Sequence, residues 1–331
     1  MDGDVSNDRL TRWARKGEHV PGISEAFGVA MTSIVIAAHN EATVIGLCLD
    51  TLLADARPGE FDVTVVANGC VDDTAVVAAR PGVRVVEVSE ASKPKALNAG
   101  DDVALGFPRI YLDADIVVTA DVPRALCEVL TSATGDARDS RPLAAVPRRD
   151  LDLTGRPWPV RHYFSINSRL PAFRDGLFGR GMIALSAEGR ARFDRFPDMV
   201  SDDLFLDSQF DSAAKRQVNH VATVVAAPYH TRDLVRRLIR VRRGNSAMRA
   251  AGRTGEVAVD IRPSDRFAWL RDVVVPHPRL APAALSYLVI TGLAAVKARR
   301  VPDPADAWGR DESTRRGRGR GFPGLGGTSD D

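Results

Sequence analysis

Four short apolar runs, each closed by polar residues, recur between residues 32 and 132. They are Ser33–Ala38, followed by His39-Asn40-Glu41; Asp62–Ala67, followed by Asn68-Gly69-Cys70; Val83–Val88; and Arg109–Val118, which carries Asp113 and Asp115. Runs this short and this apolar read as strands buried on both faces. Helical patterns lie between them. Val44, Leu47, Cys48, Thr51 and Leu52 are spaced to share one helix face, and Pro58-Gly59 closes that helix. Asp72-Asp73-Thr74 suits the N-terminus of a second helix over 75–80. Pro94 suits an early position in a third. This alternation predicts an α/β fold with a mostly parallel central sheet and helices on both faces. Ligands of such sheets bind beyond the carboxyl ends of the strands. His39, Asn40, Glu41, Asn68, Asp113 and Asp115 all fall at those ends.

Along an extended strand, residues two apart point to the same side. Asp113 and Asp115 are therefore expected side by side, and two carboxylates so placed repel unless a cation lies between them. Mg²⁺ or Mn²⁺, hard ions that take oxygen ligands, meet that need. Asp-x-Asp is common, however, and by itself reads equally well as an ordinary polar strand end.

Formal net charge is only +2 over 331 residues, so charge gives no reason to expect a nucleic-acid partner. The Arg-Gly repeats at 316–321 read as a solubilising tail. Cys48, Cys70 and Cys127 have no metal-ligand spacing and fit free thiols in a reducing compartment. Residues 1–15 contain no apolar signal-peptide core. The expectation is a cytoplasmic protein, with membrane association left open by its C-terminal region.

The motifs Ala38-His-Asn-Glu41, Asn68-Gly-Cys-Val-Asp-Asp-Thr74, Lys93-Pro-Lys-Ala-Leu-Asn98 and Asp113-Ala-Asp115 occur in an order that resembles family 2 of the glycosyltransferases. The resemblance extends over about residues 32–245 and implies the GT-A fold. Such an enzyme transfers a sugar from a nucleotide-sugar donor to an acceptor hydroxyl. Further motifs add to it. Arg174–Ser186, with Gly179 and Gly181, resembles the family's acceptor-side segment, although a plain tight turn would use the same glycines. Asp202 and Asp203 resemble the paired acids that carry the catalytic base, although acids also favour a helix N-terminus. Arg237 and Arg240 resemble the basic pair that faces the diphosphate. Val241 stands where processive synthases have a Trp, which implies non-processive transfer.

By this resemblance Asp115 binds the metal, Asp113 binds the ribose or a metal-bound water, and His230 completes the metal shell. Asp203 is the base and Asp202 its neighbour. His39, Asn40, Glu41, Asn68 and Lys93 contact the donor. Ala67-Asn68 replaces the acidic pair that commonly reads uracil, so no nucleotide base is favoured. Lys95 has no assigned role.

A nucleotidyltransferase would need a Gly-rich phosphate loop where His39-Asn40-Glu41 stands. A non-catalytic sugar-nucleotide or carbohydrate-binding protein on the same scaffold is the alternative. The expected organisation is a lead-in over 1–30, a GT-A domain over 31–250, a helical extension over 251–300 and a disordered tail over 301–331. The acceptor class is open among lipid-linked, small-molecule and glycan hydroxyls. Residues 262–275 are expected to form a helix. The apolar run Leu280–Val296, interrupted by Pro282 and Gly292, falls short of the roughly 20 residues that span a bilayer. It reads as a helix docked on the domain, and its basic end at Lys297 to Arg300 leaves peripheral membrane contact open.

Overall fold

In a computed structural model the described residues are 31–132, 141–259, 261 and 265–300. The expected lead-in over 1–30 and tail over 301–331 lie outside them. In chain order the first half comprises β1 (Thr32–Ala38), α1 (Ile45–Leu53), β2 (Phe61–Asn68), α2 (Thr74–Ala78), β3 (Val83–Val88), α3 (Lys93–Val103), β4 (Arg109–Asp113) and α4 (Asp121–Thr131). The second half comprises β5 (Ala144–Asp152), α5 (Trp158–Asn167), α6 (Pro171–Asp175), β6 (Met182–Leu185), α7 (Ala187–Arg190), α8 (Asp202–Ser208), β7 (Lys215–Ala226), α9 (Thr231–Thr254) and α10 (Ala281–Arg300). A π-helical turn, Trp269–Val274, precedes α10.

The strands form one sheet in the order β3-β2-β1-β4-β6-β5-β7. The first four are parallel to one another, and β6 runs antiparallel to both β4 and β5. Strand periodicity divides the core between two faces. Ile34 and Ile36 pack with Ile45, Leu49, Leu52 and Leu126 on one side, whereas Val35 packs with Leu97, Tyr111, Phe205 and Met248 on the other.

Two expectations change in register. The buried face of α1 is Ile45, Cys48, Leu49 and Leu52, an i, i+3, i+4, i+7 set, so Leu47 points to solvent. The strand β4 stops at Asp113, before Asp115, instead of ending in both carboxylates. There the Ile116 amide donates to the Asp113 carbonyl at 3.0 Å and turns the chain, so Asp115 sits in a turn beyond the strand.

The helix α3 approaches the sheet closely at Gly100. A Cβ on that residue would lie 2.3 Å from Val35 Cγ1. Gly100→Ala is expected to destabilise the fold by about 1–3 kcal/mol through overpacking, despite its better helix propensity. Equilibrium denaturation against urea would measure the difference.

Candidate active site

A cleft of about 1600 Å³ opens at the carboxyl ends of β1 and β4 and reaches α8, α9 and α10. Its lining includes His39 and Glu41 from the end of β1, Lys93 from the start of α3, and Asp113 and Asp115 from the end of β4. Asp202 and Asp203 enter from α8, and Arg237, Arg240 and Val241 from α9.

Lys93 joins these groups. Ser92 caps α3 by accepting from the Lys95 amide, and Pro94 occupies the first turn. A lysine here sits against the positive end of the helix dipole, an unfavourable place unless acids surround it. They do: Lys93 Nζ lies 2.7 Å from Asp113 Oδ1 and 2.9 Å from Asp202 Oδ2. Burial would raise the Asp113 carboxyl, but Lys93, backed by Arg237 and Arg240, brings it below its ordinary value.

Asp202 and Asp203 form the first turn of α8, where acids are favoured. Ser201 before them holds φ +96°, a left-handed conformation unusual for a residue with a side chain. A glycine in α9 makes room for it, since a Cβ on Gly244 would lie 2.5 Å from Ser201 Oγ. Asp203 accepts hydrogen bonds from the Leu204 amide at 2.8 Å and the Gly179 amide at 3.3 Å. Burial and the neighbouring Asp202 charge nevertheless raise it to about 6. Gly179 and Gly181 both hold positive φ, so the glycine-rich turn brings its backbone against Asp203 and the end of β4.

Three sequence candidates lie elsewhere. The Asn68 amide is buried and donates to the Ala38 carbonyl at 2.8 Å, tying β2 to β1. Asn40 accepts from the Val71 amide at 2.7 Å. His230 is exposed at the N-cap of α9. None of the three lines the cleft. Lys95 pairs with Glu90 and Asp198 at the surface.

Sequence reasoning missed Arg149, Tyr163, Trp269 and Tyr287, all of which line the cleft. Arg149 stacks on Phe173 at 4.4 Å, and burial together with Arg180 and Arg237 lowers it to about 10. Tyr287 stacks on Tyr163 at 5.3 Å and meets Trp269 at a tilt, 6.1 Å between ring centres. No local motif marks these residues, because their meeting depends on how β5, α5 and α10 pack.

Among the described residues, no three His, Cys, Asp or Glu side chains gather as a metal-binding group. Asp113 and Asp115 still fit a hard divalent cation. Mg²⁺ commonly takes one or two carboxylates from the protein and its remaining oxygens from water and substrate phosphates. The placement of Lys93 shows that the Asp113 carboxylate already draws a cation.

The raised Asp203 value has a consequence for stability. The folded protein holds this proton more tightly than the unfolded chain, so ionised Asp203 costs stability above pH 6 and the cost disappears as the pH falls through 6 towards about 4. Asp203→Asn is expected to raise the thermal midpoint at pH 8, and the gain should close below pH 6. Melting curves of both proteins across that range test it.

Residues 33–174 match the family described as glycosyl transferase family 2. No curated protein matches the sequence significantly. Among solved structures, the mannosyltransferase PcManGT from Pyrobaculum calidifontis, in complex with GDP-Man and Mn²⁺, superposes with a TM-score of 0.53. It is 20% identical, over 89% of this chain and 82% of that one. Glucosyl-3-phosphoglycerate synthase from Mycobacterium tuberculosis, in complex with UDP, reaches a TM-score of 0.42 at 16% identity, over 87% of this chain and 88% of that one. The second likeness is too distant to carry an argument. The first supports the fold, and the motif order, the sheet and the family match agree: residues 33–174 are similar to glycosyl transferase family 2, on a fold shared with a solved glycosyltransferase.

Proposed function

We propose that this protein transfers a sugar from a nucleotide-sugar donor to an acceptor hydroxyl in a single, inverting, non-processive displacement that depends on Mg²⁺ or Mn²⁺. The observation that carries this reading is the Lys93 bridge. It brings Asp113, next to Asp115, and Asp202, next to Asp203, to the two sides of one ammonium group in one cleft.

Asp115 and Asp113 would hold the metal together with diphosphate oxygens. Bound there, the metal supplies neutralisation of the charge that develops on the leaving diphosphate. Arg237 and Arg240 donate to the same oxygens. His39 and Glu41, at the end of β1, contact the nucleoside. Asn68 and Asn40 act on the donor only indirectly, by holding the β1 and β2 ends in place. His230 is not required for the metal in this reading. Asp203 takes the proton of the acceptor hydroxyl as the new bond to C1 forms and the bond from C1 to the diphosphate breaks. Attack opposite the leaving group inverts the anomeric centre. A carboxylate raised to about 6 is ionised at neutral pH yet more basic than an ordinary aspartate, which suits a general base. Val241 offers no aromatic platform for a growing glycan, in keeping with one transfer per encounter.

We assign residues 31–250 to the catalytic domain and 251–300 to a helical extension. The acceptor is a lipid-linked, small-molecule or glycan hydroxyl. We assign the protein to the cytoplasm, where Cys48, Cys70 and Cys127 persist as free thiols.

A thermal-shift panel of UDP-, GDP-, dTDP- and ADP-sugars, with and without Mn²⁺, tests donor binding. One nucleotide class is expected to stabilise the protein only with the metal, and Asp115→Ala to abolish that shift. No shift with any donor would leave the binding reading without support. Asp203→Asn is expected to lower kcat by roughly 10²–10⁴-fold while keeping the donor-induced shift. In the unaltered enzyme kcat should rise with pH through about 6 as Asp203 loses its proton. Full activity of Asp203→Asn would move the base elsewhere.

A further inference from the structure

We propose that the outer face of α10 is a docking surface for an anionic lipid bilayer. The helical stretch Pro278–Arg300 is, by length and composition alone, long and apolar enough to cross a membrane. It does not stand free of the domain. Ile290 and Ala294 pack against Val160, Phe164, Leu234 and Val235 of α5 and α9. The His162 ring meets Ser286 Oγ at 3.4 Å, and Arg243 Nε donates to the Ala298 carbonyl at 3.4 Å. A helix held along one side by its own domain can lie in an interface but not thread through it.

The opposite side of α10 is apolar and uncovered. Leu285, Leu288, Val289, Leu293 and Val296 fall on one helical stripe and are between 45% and 68% exposed. A row of large aliphatic side chains left in water marks an interaction surface. The preceding segment also exposes Phe267, Leu270 and Val275, but there Asp265 and Asp272 pair with Arg271, so the acid-free stripe is that of α10 alone.

Charge identifies the partner. The protein as a whole is nearly neutral, and α10 carries no acid at all; of the eight arginines on α9, Arg237, Arg240, Arg242 and Arg249 line the cleft, while Arg232, Arg236, Arg243 and Arg253 do not. Lys297, Arg299 and Arg300 close the last turn of α10, and Arg243 reaches the same end. An apolar stripe ending in a basic cluster with no acids interleaved is complementary to acyl chains beneath negatively charged headgroups. A second protein copy would instead bring this cationic layer against itself.

The position of the surface also connects it to the cleft. Leu288 belongs to the exposed stripe and lines the cleft, as do Tyr287 and Thr291 on the same helix. Docking through α10 therefore sets one wall of the cleft at headgroup level.

Flotation of the full chain with vesicles tests the proposal without relying on activity. Binding is expected to phosphatidylglycerol–phosphatidylcholine vesicles, to weaken as salt is raised, and to be much weaker to phosphatidylcholine alone. The variant Leu285→Gln/Val289→Gln/Leu293→Gln changes residues outside the cleft. It should bind anionic vesicles at least roughly tenfold less tightly while keeping the donor-induced thermal shift and donor turnover. Lys297→Glu/Arg299→Glu/Arg300→Glu should lose the preference for anionic lipid and remain folded by circular dichroism. Absence of vesicle binding by protein that still turns over donor would overturn the proposal. So would equal binding by the triple-glutamine variant, or a dimer in solution that this variant makes monomeric. Vesicle binding without any sugar transfer would leave the docking surface standing and count against the proposed reaction instead.

Discussion

One lysine ammonium joins two pairs of carboxylates through one member of each. Asp113 and Asp115 come from the end of β4, and Asp202 and Asp203 from the start of α8, about ninety residues later in the chain. Lys93 lies within salt-bridge distance of one member of each pair. Its own position is fixed by the Ser92 cap and by Ser92 Oγ donating to Asp198 at 3.0 Å, which ties the start of α3 to the loop leading into α8. The bridge satisfies Asp113 and Asp202 and leaves Asp203 beside a charged neighbour in a partly buried place. The contrast between a lowered Asp113 and a raised Asp203 follows from which acids the lysine reaches.

The same cleft also crowds cations. Arg149, Arg237 and Arg240 stand near one another, and burial together with mutual repulsion lowers both Arg149 and Arg240. Arg180 lines the cleft as well. It is fully buried and donates to the Phe173 carbonyl at 2.9 Å, while its own carbonyl accepts from Thr223 at 2.7 Å. Crowded cations at a cleft surface gain most from a polyanion, and a nucleoside diphosphate has that chemistry. Acids and arginines gathered in one cleft are the electrostatic counterpart of a metal–diphosphate donor meeting a hydroxyl acceptor.

The first four strands were readable to within a few residues because their signal is local: apolar runs bounded by turn chemistry. The errors arose where a neighbour decided the outcome. In α1, Val44, Ile45, Leu47, Cys48 and Leu49 allow more than one apolar face, and packing on Ile34 and Ile36 selected the one that excludes Leu47. The turn after Asp113 coincides with the start of β6, where the Asp113 amide donates to the Gly181 carbonyl at 2.8 Å. Nothing within Arg109–Val118 announces that partner. Asn68 and Asn40 have the side chains that could read a nucleoside, but the β1 and β2 ends lie close enough to use them for backbone ties.

By itself the sequence determined the strand–helix alternation, the chemistry at the strand ends and the order of motifs, because hydrophobic period and turn propensity act over a few residues. Tertiary structure decided which of those residues share a cleft. It brought Lys93 between Asp113 and Asp202, raised Asp203, placed Arg149 beside Arg237, and left one apolar side of α10 uncovered. Each of these depends on desolvation and on distances between groups remote in sequence, and a one-dimensional pattern carries neither.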